Sequence, residues 1–522
     1  MTIGSPGFRA LAIYALILPL ALMLGYMLAT PTDFSTLALV TVVLGVLAMP
    51  LVLKWHYEFM LLSWNMIAVV AFLPGTPELW FVMALLSMGI AVFQRALSRE
   101  MEFISVPSLT FPLIYILLVV LLTAWLRGGI GIRALGGRTF GGRGYFWIFG
   151  GVLGFWAFTS RRIPLRKASL CIGLFLLGGV TSLIPTLIAY GPPEFYNLVL
   201  FFPTSGSELG KIATELGAIT SFNEGIERLS GLAFSCPWAF CFILAHYGIR
   251  ETLSGFKFWR FLVLVALVIL GSFGGFRSLV ILLGMTFFLT FYFEGLFRSK
   301  YAAIFVGAML LVGALLVPLA NKLPLPIQRA LSVLPLNIDP VARMEADYST
   351  QWRVEMWSML FPLVPKYLWL GKGLAVSGGG LELVSDLTSR GQIASQELAI
   401  MAGNYHNGPL TVLIPFGIWG AIGWLWFLIA SVRALYLNYR YGDDSLRRIN
   451  TFLLAYFLAR MVTFFTVFGD FRSDVAPFVG IVGLSVALNH GIRRRTPVPA
   501  AENVAELESP LSEPALIHAE AR

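Results

Sequence analysis

Fourteen runs of mostly apolar residues punctuate the chain, at 10–29, 34–53, 59–74, 79–95, 109–126, 145–160, 168–190, 230–249, 258–273, 277–296, 301–320, 409–432, 449–468 and 474–490. A run of about 20 such residues crosses a bilayer as a helix. The sixth and the last are short, so twelve to fourteen spans are expected. None of the runs alternates polar with apolar residues as the wall of a membrane barrel does. Composition agrees: only 12% of the 522 residues are charged, against roughly a quarter in soluble domains. The 42 Phe and 14 Trp suit lipid-facing helices and interfacial belts. The expected fold class is an all-α polytopic membrane protein.

Lys and Arg outnumber Asp and Glu by 37 to 28, a net charge of +9. That excess would suit nucleic acid if it covered one face. Instead it falls in short clusters between apolar runs: Arg161-Arg162, Arg166-Lys167, Arg447-Arg448 and Arg493-Arg494-Arg495. Such clusters hold loops on the cytoplasmic side. With the N-terminus inside, Lys54, Arg95, Arg99, Lys257, Arg260, Arg298, Lys300, Arg433 and Arg440 join them. An even number of spans then returns the C-terminus to the cytoplasm. The run 10–29 is longer than the 7–15 apolar residues of a signal-peptide core and reads as a retained first span. One stretch breaks the pattern. Arg127, Arg133, Arg138 and Arg143, in the Gly-rich segment 127–144, fall outside. Either a span is misassigned there or these arginines serve an anionic ligand. Cys171, Cys236 and Cys241 sit inside apolar runs, without the spacing of disulfides or metal ligands.

The runs divide the chain into an N-terminal bundle, 1–320, an external loop domain, 321–408, C-terminal spans, 409–492, and a Pro/Ala/Glu-rich tail, 493–522. A further external loop, 191–229, interrupts the bundle and reads as partly helical. The segment 321–408 far exceeds an ordinary connection, and such loops are functional or disordered. Its Trp, Met and Leu content favours folded structure. The tail has the composition of a disordered segment.

Soluble-enzyme signatures are absent: the sequence has no GxxxxGK[ST], HExxH, paired CxxC or GxSxG. Gly371-Lys372-Gly373 lacks the upstream glycine and following Ser/Thr of a phosphate loop, so an ATP-driven pump is not expected. Three polar features at the external face remain. Arg277 follows a glycine turn in Gly274-Gly275-Phe276-Arg277-Ser278 and would open a helix at the outer interface. Its guanidinium fork matches phosphate oxygens, or it simply snorkels to headgroups. Arg353 lies in Thr350-Gln351-Trp352-Arg353-Val354-Glu355-Met356-Trp357, a helix with Thr350 as its expected N-cap. Trp352, Met356, Met359 and Leu360 form its apolar stripe, which could dock on the membrane. Arg353 stands one position off that stripe and binds an anion or stacks on Trp357. His406 lies in Gly403-Asn404-Tyr405-His406-Asn407-Gly408, just before an apolar run. With an ordinary pKa of ~6.5 it is either a general base or a structural histidine. No His/Cys/Asp/Glu set with metal-ligand spacing accompanies these residues, so neither metal nor cofactor is expected.

Taken in order, Phe276-Arg277-Ser278, Arg353-Val354-Glu355-Met356-Trp357, Pro365…Gly371-Lys372-Gly373, His406-Asn407 and Gly417-Ile418-Trp419-Gly420 resemble the O-antigen ligase/O-antigen polymerase superfamily. The resemblance is detailed over roughly 270–430 and looser over the many-span frame. It implies a GT-C-like membrane glycosyltransferase of the bacterial inner membrane, working at the periplasmic face without a cofactor. It also implies a donor glycan linked to undecaprenyl diphosphate, and a growing glycan or lipid A core as acceptor. Polysaccharide-assembly proteins are possible partners. Carried over by position, Arg277 and Arg353 match the diphosphate ligands and His406 the base, with Asn407 and Lys372 as supporting residues. The segment 127–144 has no counterpart in that pattern. A lipid-linked-glycan flippase is the competing reading, but it should line several spans with charge. Here Arg460 is the clear mid-span charge.

Overall fold

The computed structural model describes residues 34–97, 103–130, 139–204, 206–216, 226–377 and 395–494, with Leu18, Pro19, Ala21, Leu22, Gly25 and Val384. Most of the run 10–29, Arg99, Arg133, Arg138, Arg495 and the tail 496–522 lie outside the described residues. Among the described residues, nine helices are long and apolar enough to cross a membrane, and two shorter apolar helices accompany them. The chain is an all-α polytopic membrane protein.

The principal helices are α1 (Phe34–Ser63), α2 (Leu79–Leu97), α3 (Pro107–Arg127), α4 (Gly142–Thr159), α5 (Leu165–Ala189), α6 (Ser230–Thr252), α7 (Trp259–Ser272), α8 (Arg277–Phe293), α9 (Lys300–Leu319), α10 (Leu325–Leu331), α11 (Pro340–Leu360), α12 (Gly408–Tyr441), α13 (Arg447–Thr466) and α14 (Phe471–Asn489). The core centres on α14, where Phe478, Val479, Ile481, Val482, Leu484 and Val486 are buried. Small residues let α4 and α14 approach closely. A Cβ on Gly151 would lie 3.1 Å from the Ala476 nitrogen, and one on Gly483 would lie 2.8 Å from the Phe158 Cβ. The three cysteines are free and buried.

The run 59–74 departs from the expected helical span. The α1 helix carries non-helical backbone at Trp55 and ends at Ser63; beyond it the chain is irregular. It runs beside α5 as a broken segment, with Trp64, Ala68, Val69 and Val70 buried. Non-helical backbone is tolerated at membrane depth only inside protein, and this segment finds its partners there. Asn65 Nδ2 donates to the Phe175 carbonyl at 2.8 Å, the Ile67 N–H to Thr181 Oγ1 at 3.3 Å, and the Val69 N–H to the Phe201 carbonyl at 2.8 Å.

A second break positions the site. The α12 helix contains Pro415 and is interrupted at Gly417, φ +65°. The freed polar groups are met by residues 368–373. The Lys372 N–H donates to the Ile414 carbonyl at 2.7 Å, the Gly373 N–H to the Pro415 carbonyl at 2.9 Å, and the Ile418 N–H to the Leu368 carbonyl at 2.6 Å. Beside this turn, β1 (Thr139–Phe140) pairs antiparallel with β2 (Val376–Ser377). The Arg127 Nε donates to the Gly371 carbonyl at 2.9 Å, and Arg143 pairs with Glu78. These two arginines of the Gly-rich segment therefore have protein partners.

The bundle has two distinct ends. At one, Glu294 accepts from the Ile249 and Arg250 N–H groups, Tyr439 donates to the Phe293 carbonyl, and Arg448 pairs with Glu251. The start of α8, the segment 321–377 and the start of α12 share the other.

Candidate functional site

Arg277 is the first residue of α8, with Phe276 as N-cap and Gly275 at φ +68° before it. The positive φ is one that only glycine adopts freely, so the turn delivers Arg277 directly onto a helix start. Its Nη2 donates to the Ala346 carbonyl at 3.0 Å and to Thr350 Oγ1 at 2.8 Å. Ala346, Thr350 and Arg353 stand at i, i+4 and i+7 on α11, one face of a helix. That spacing brings Arg353 to the same side as Arg277. Burial first, and the Arg277 charge second, push the Arg353 guanidinium below its ordinary pKa.

The α11 helix itself differs from expectation at three points. It begins at Pro340, capped by Asp339, whose side chain accepts from the Val341 N–H at 2.8 Å. Thr350 is mid-helix, donating back to the Ala346 carbonyl at 3.0 Å. The stripe packs on protein: Met356 and Leu360 are buried with Tyr405, Leu410 and Ile414, while Met359 is exposed. The Trp357 indole donates to the Tyr405 carbonyl at 3.0 Å, and that bond ties α11 to the histidine loop.

His406 occupies this loop at φ +48°, which is uncommon for a residue with a Cβ and typical of strained functional positions. Its ring lies 5.6 Å from that of Trp352 and 5.1 Å from that of Phe468. Its Nδ1 is buried without a hydrogen-bond partner. Burial, then the Arg353 charge, holds the imidazole below its usual pKa, against an upward pull from Asp470. A neutral imidazole therefore sits beside the arginine-bearing helix. Asn407 acts elsewhere, since its side chain caps α12 by accepting from the Leu410 N–H at 3.1 Å. Lys372 sits on the broken segment of α12, where burial and Lys366 lower its pKa. Arg353 is brought beside both Arg277 and His406, whereas Lys372 belongs to the neighbouring turn.

Sequence reasoning missed five further residues. Arg329 on α10 donates through Nη1 to the Gly275 carbonyl at 2.5 Å, and its Nε lies 3.4 Å from Glu345 Oε2. Arg228 reaches the same carboxylate oxygen at 3.2 Å. Burial, and then Arg228, lower the Arg329 pKa to about 10, with Arg277 and Arg353 adding to the effect. Asp470, at the N-cap of α14, accepts from Arg472 Nε at 3.1 Å, and Arg472 also donates to the Ala402 and Gly403 carbonyls at 3.1 and 3.0 Å. One signal was legible. Gly469-Asp470-Phe471-Arg472-Ser473 echoes Gly274-Gly275-Phe276-Arg277-Ser278, and both strings open a helix with an arginine that grips a neighbouring loop or helix.

Fold and site together define a multi-pass helical membrane protein with a crowded arginine cluster and a neutral histidine at one end. Residues 234–425 match the family model described as O-antigen ligase, so this part of the chain is similar to that family. Arg277, Arg329, Arg353, Lys372 and His406 fall inside the matched stretch; Arg228 and Asp470 lie outside it. No curated protein matches the chain.

Proposed function

We propose that the chain is an inverting membrane glycosyltransferase. In this reading it transfers or polymerises an undecaprenyl-diphosphate-linked glycan onto an acceptor hydroxyl at the periplasmic face of the bacterial inner membrane. One observation carries the reading: within the family-matched stretch Arg353 stands between Arg277 and His406, close enough to each for their charges to act on one another. Arg353 has no hydrogen-bond or ion-pair partner among the described residues, and Arg277 commits one nitrogen to the protein. Both guanidiniums are then available to diphosphate oxygens.

The chemistry follows from these placements. The acceptor oxygen attacks the anomeric carbon as the bond to the diphosphate oxygen breaks, and the configuration inverts. The lipid diphosphate leaves with one more negative charge than it held as a diester. Arg277 and Arg353 stabilise that growing charge, which is often the largest contribution to catalysis. The acceptor proton passes to His406, whose lowered pKa keeps the imidazole unprotonated and able to accept it. The leaving group is already activated, so no nucleotide is consumed outside the cell. Arg460, the mid-span charge, pairs with Asp474 at 2.8 Å, so its charge is met within the protein. That pairing suits a structural role better than a flippase path.

The test is reconstitution in vesicles with defined polyprenyl-diphosphate glycans and candidate acceptors, a lipid A core and a growing polysaccharide among them. A glycosylated or lengthened acceptor, with release of polyprenyl diphosphate, is the expected product. Movement of intact donor across the vesicle, with no transfer to any acceptor, would replace the reading with transport.

A further inference from the structure

Arg329 is the most enclosed member of the arginine cluster, with 6% of its surface exposed. It joins elements that are distant in sequence. Nη1 holds the carbonyl of Gly275, two residues ahead of Arg277, and Nε faces Glu345, the residue before Ala346. Arg277 holds the Ala346 carbonyl from the other guanidinium. The two arginines thus grip the same stretch of α11, and Arg353 lies two turns further along that helix. Glu345 also accepts from the Ile226 N–H at 2.8 Å and from Arg228. The α10 helix is itself fixed by Gln328, which donates to the Asn321 and Leu323 carbonyls at 3.2 and 2.6 Å and accepts from the Asp339 N–H at 2.6 Å.

Charge points the same way. Glu345 pairs with Arg228 and Arg329, and Asp347 acts on Arg277, whereas the charge that acts on Arg353 is that of Arg277. The cluster around these side chains therefore keeps a positive excess, which suits a polyanionic donor.

We propose that Arg329 is a positioning residue, paired with Glu345, that sets the spacing between Arg277 and Arg353 to fit a diphosphate rather than a monophosphate. The inference rests on the donor reading above and adds which group makes that site selective. Lysine at 329 keeps the charge but has one ammonium where the fork bridges a carbonyl and a carboxylate. Positioning therefore predicts that Arg329→Lys fails much as Arg329→Gln does. A simple charge effect predicts that lysine rescues.

The experiment measures inhibition of transfer by polyprenyl diphosphate and by polyprenyl monophosphate, in the full-length protein in nanodiscs. Arg329→Lys, Arg329→Gln, Glu345→Asp and Arg277→Ala are compared with the parent, each checked for parental thermal unfolding. Small displacements of positioned groups can cost about 10²-fold. The diphosphate preference should fall on that order in both Arg329 variants, and also in Glu345→Asp, which only shortens the carboxylate arm. If Arg329→Lys and Glu345→Asp keep the parental preference while Arg277→Ala loses it, the positioning role is overturned and the donor reading stands. If the parent has no preference and Arg277→Ala changes nothing, the donor reading itself falls. Should Arg329→Gln not insert, Glu345→Asp and Arg329→Lys decide the matter.

Discussion

Replacing Arg277 by lysine preserves its charge and removes its fork. In the structure, Nη2 is engaged by the Ala346 carbonyl and Thr350 Oγ1 of α11, at 3.0 and 2.8 Å. Nε and Nη1 remain for phosphate oxygens. A lysine ammonium cannot reproduce both sets in those directions. Losing one charge-assisted hydrogen bond costs about 1.5–3 kcal/mol. At ~1.36 kcal/mol per decade, kcat/KM for the donor should fall roughly 10–150-fold. Because charge on the diphosphate grows as it departs, part of the loss belongs in kcat and part in donor KM. Arg277→Ala, which also releases α11, should fall further. The assay is initial rates against concentration of a fluorescent polyprenyl-diphosphate glycan in nanodiscs, with thermal unfolding as the folding control. A well-folded Arg277→Lys that turns over at the parental rate, with parental donor KM, would refute the assignment and leave Arg277 as an interfacial anchor.

Three further outcomes are expected. The acidic limb of kcat/KM should lie below the ordinary imidazole pKa of ~6.5, because burial and Arg353 both disfavour protonated His406. Residual activity of Arg353→Gln should show that limb moved upward, and His406→Gln should lose it along with ~10²–10⁴-fold of rate; a limb surviving in His406→Gln identifies another base. Gly371→Ala should destabilise the protein by about 3–5 kcal/mol, through a left-handed alanine and the loosened hydrogen bonds onto α12. Its Cβ would lie 2.2 Å from the Pro415 oxygen, so an unchanged melting temperature in detergent would count against the docking of this turn. An impermeant thiol reagent applied to intact cells should modify Tyr348→Cys on the exposed side of α11 and spare Ser445→Cys; the native cysteines are buried and add no background. The opposite labelling pattern would invert the topology.

The amino-acid sequence determined what local chemistry can determine. Apolar runs of bilayer length became helices, and the glycine turn before Arg277 opened one, because both signals depend only on neighbours along the chain. The apolar run 59–74 misled for the same reason. Buried helix and buried irregular chain share a composition, and only the contacts with Phe175, Thr181 and Phe201 make the irregular form stable. Thr350 looked like a cap because the residues before it are not an apolar run, yet the helix starts at Pro340. The arginine cluster was half visible. Arg277 and Arg353 stand in recognisable strings, whereas Arg228 and Glu345 lie 117 residues apart and meet only when the loop ahead of α6 folds over α11. The tight turn at Gly371-Lys372-Gly373 and the glycine break in α12 show the division most clearly. Each could be read from its own residues, but not that one answers the other. A broken helix leaves carbonyls and an N–H that must be paired inside the protein, and the partner is chosen by what the folded chain brings within reach.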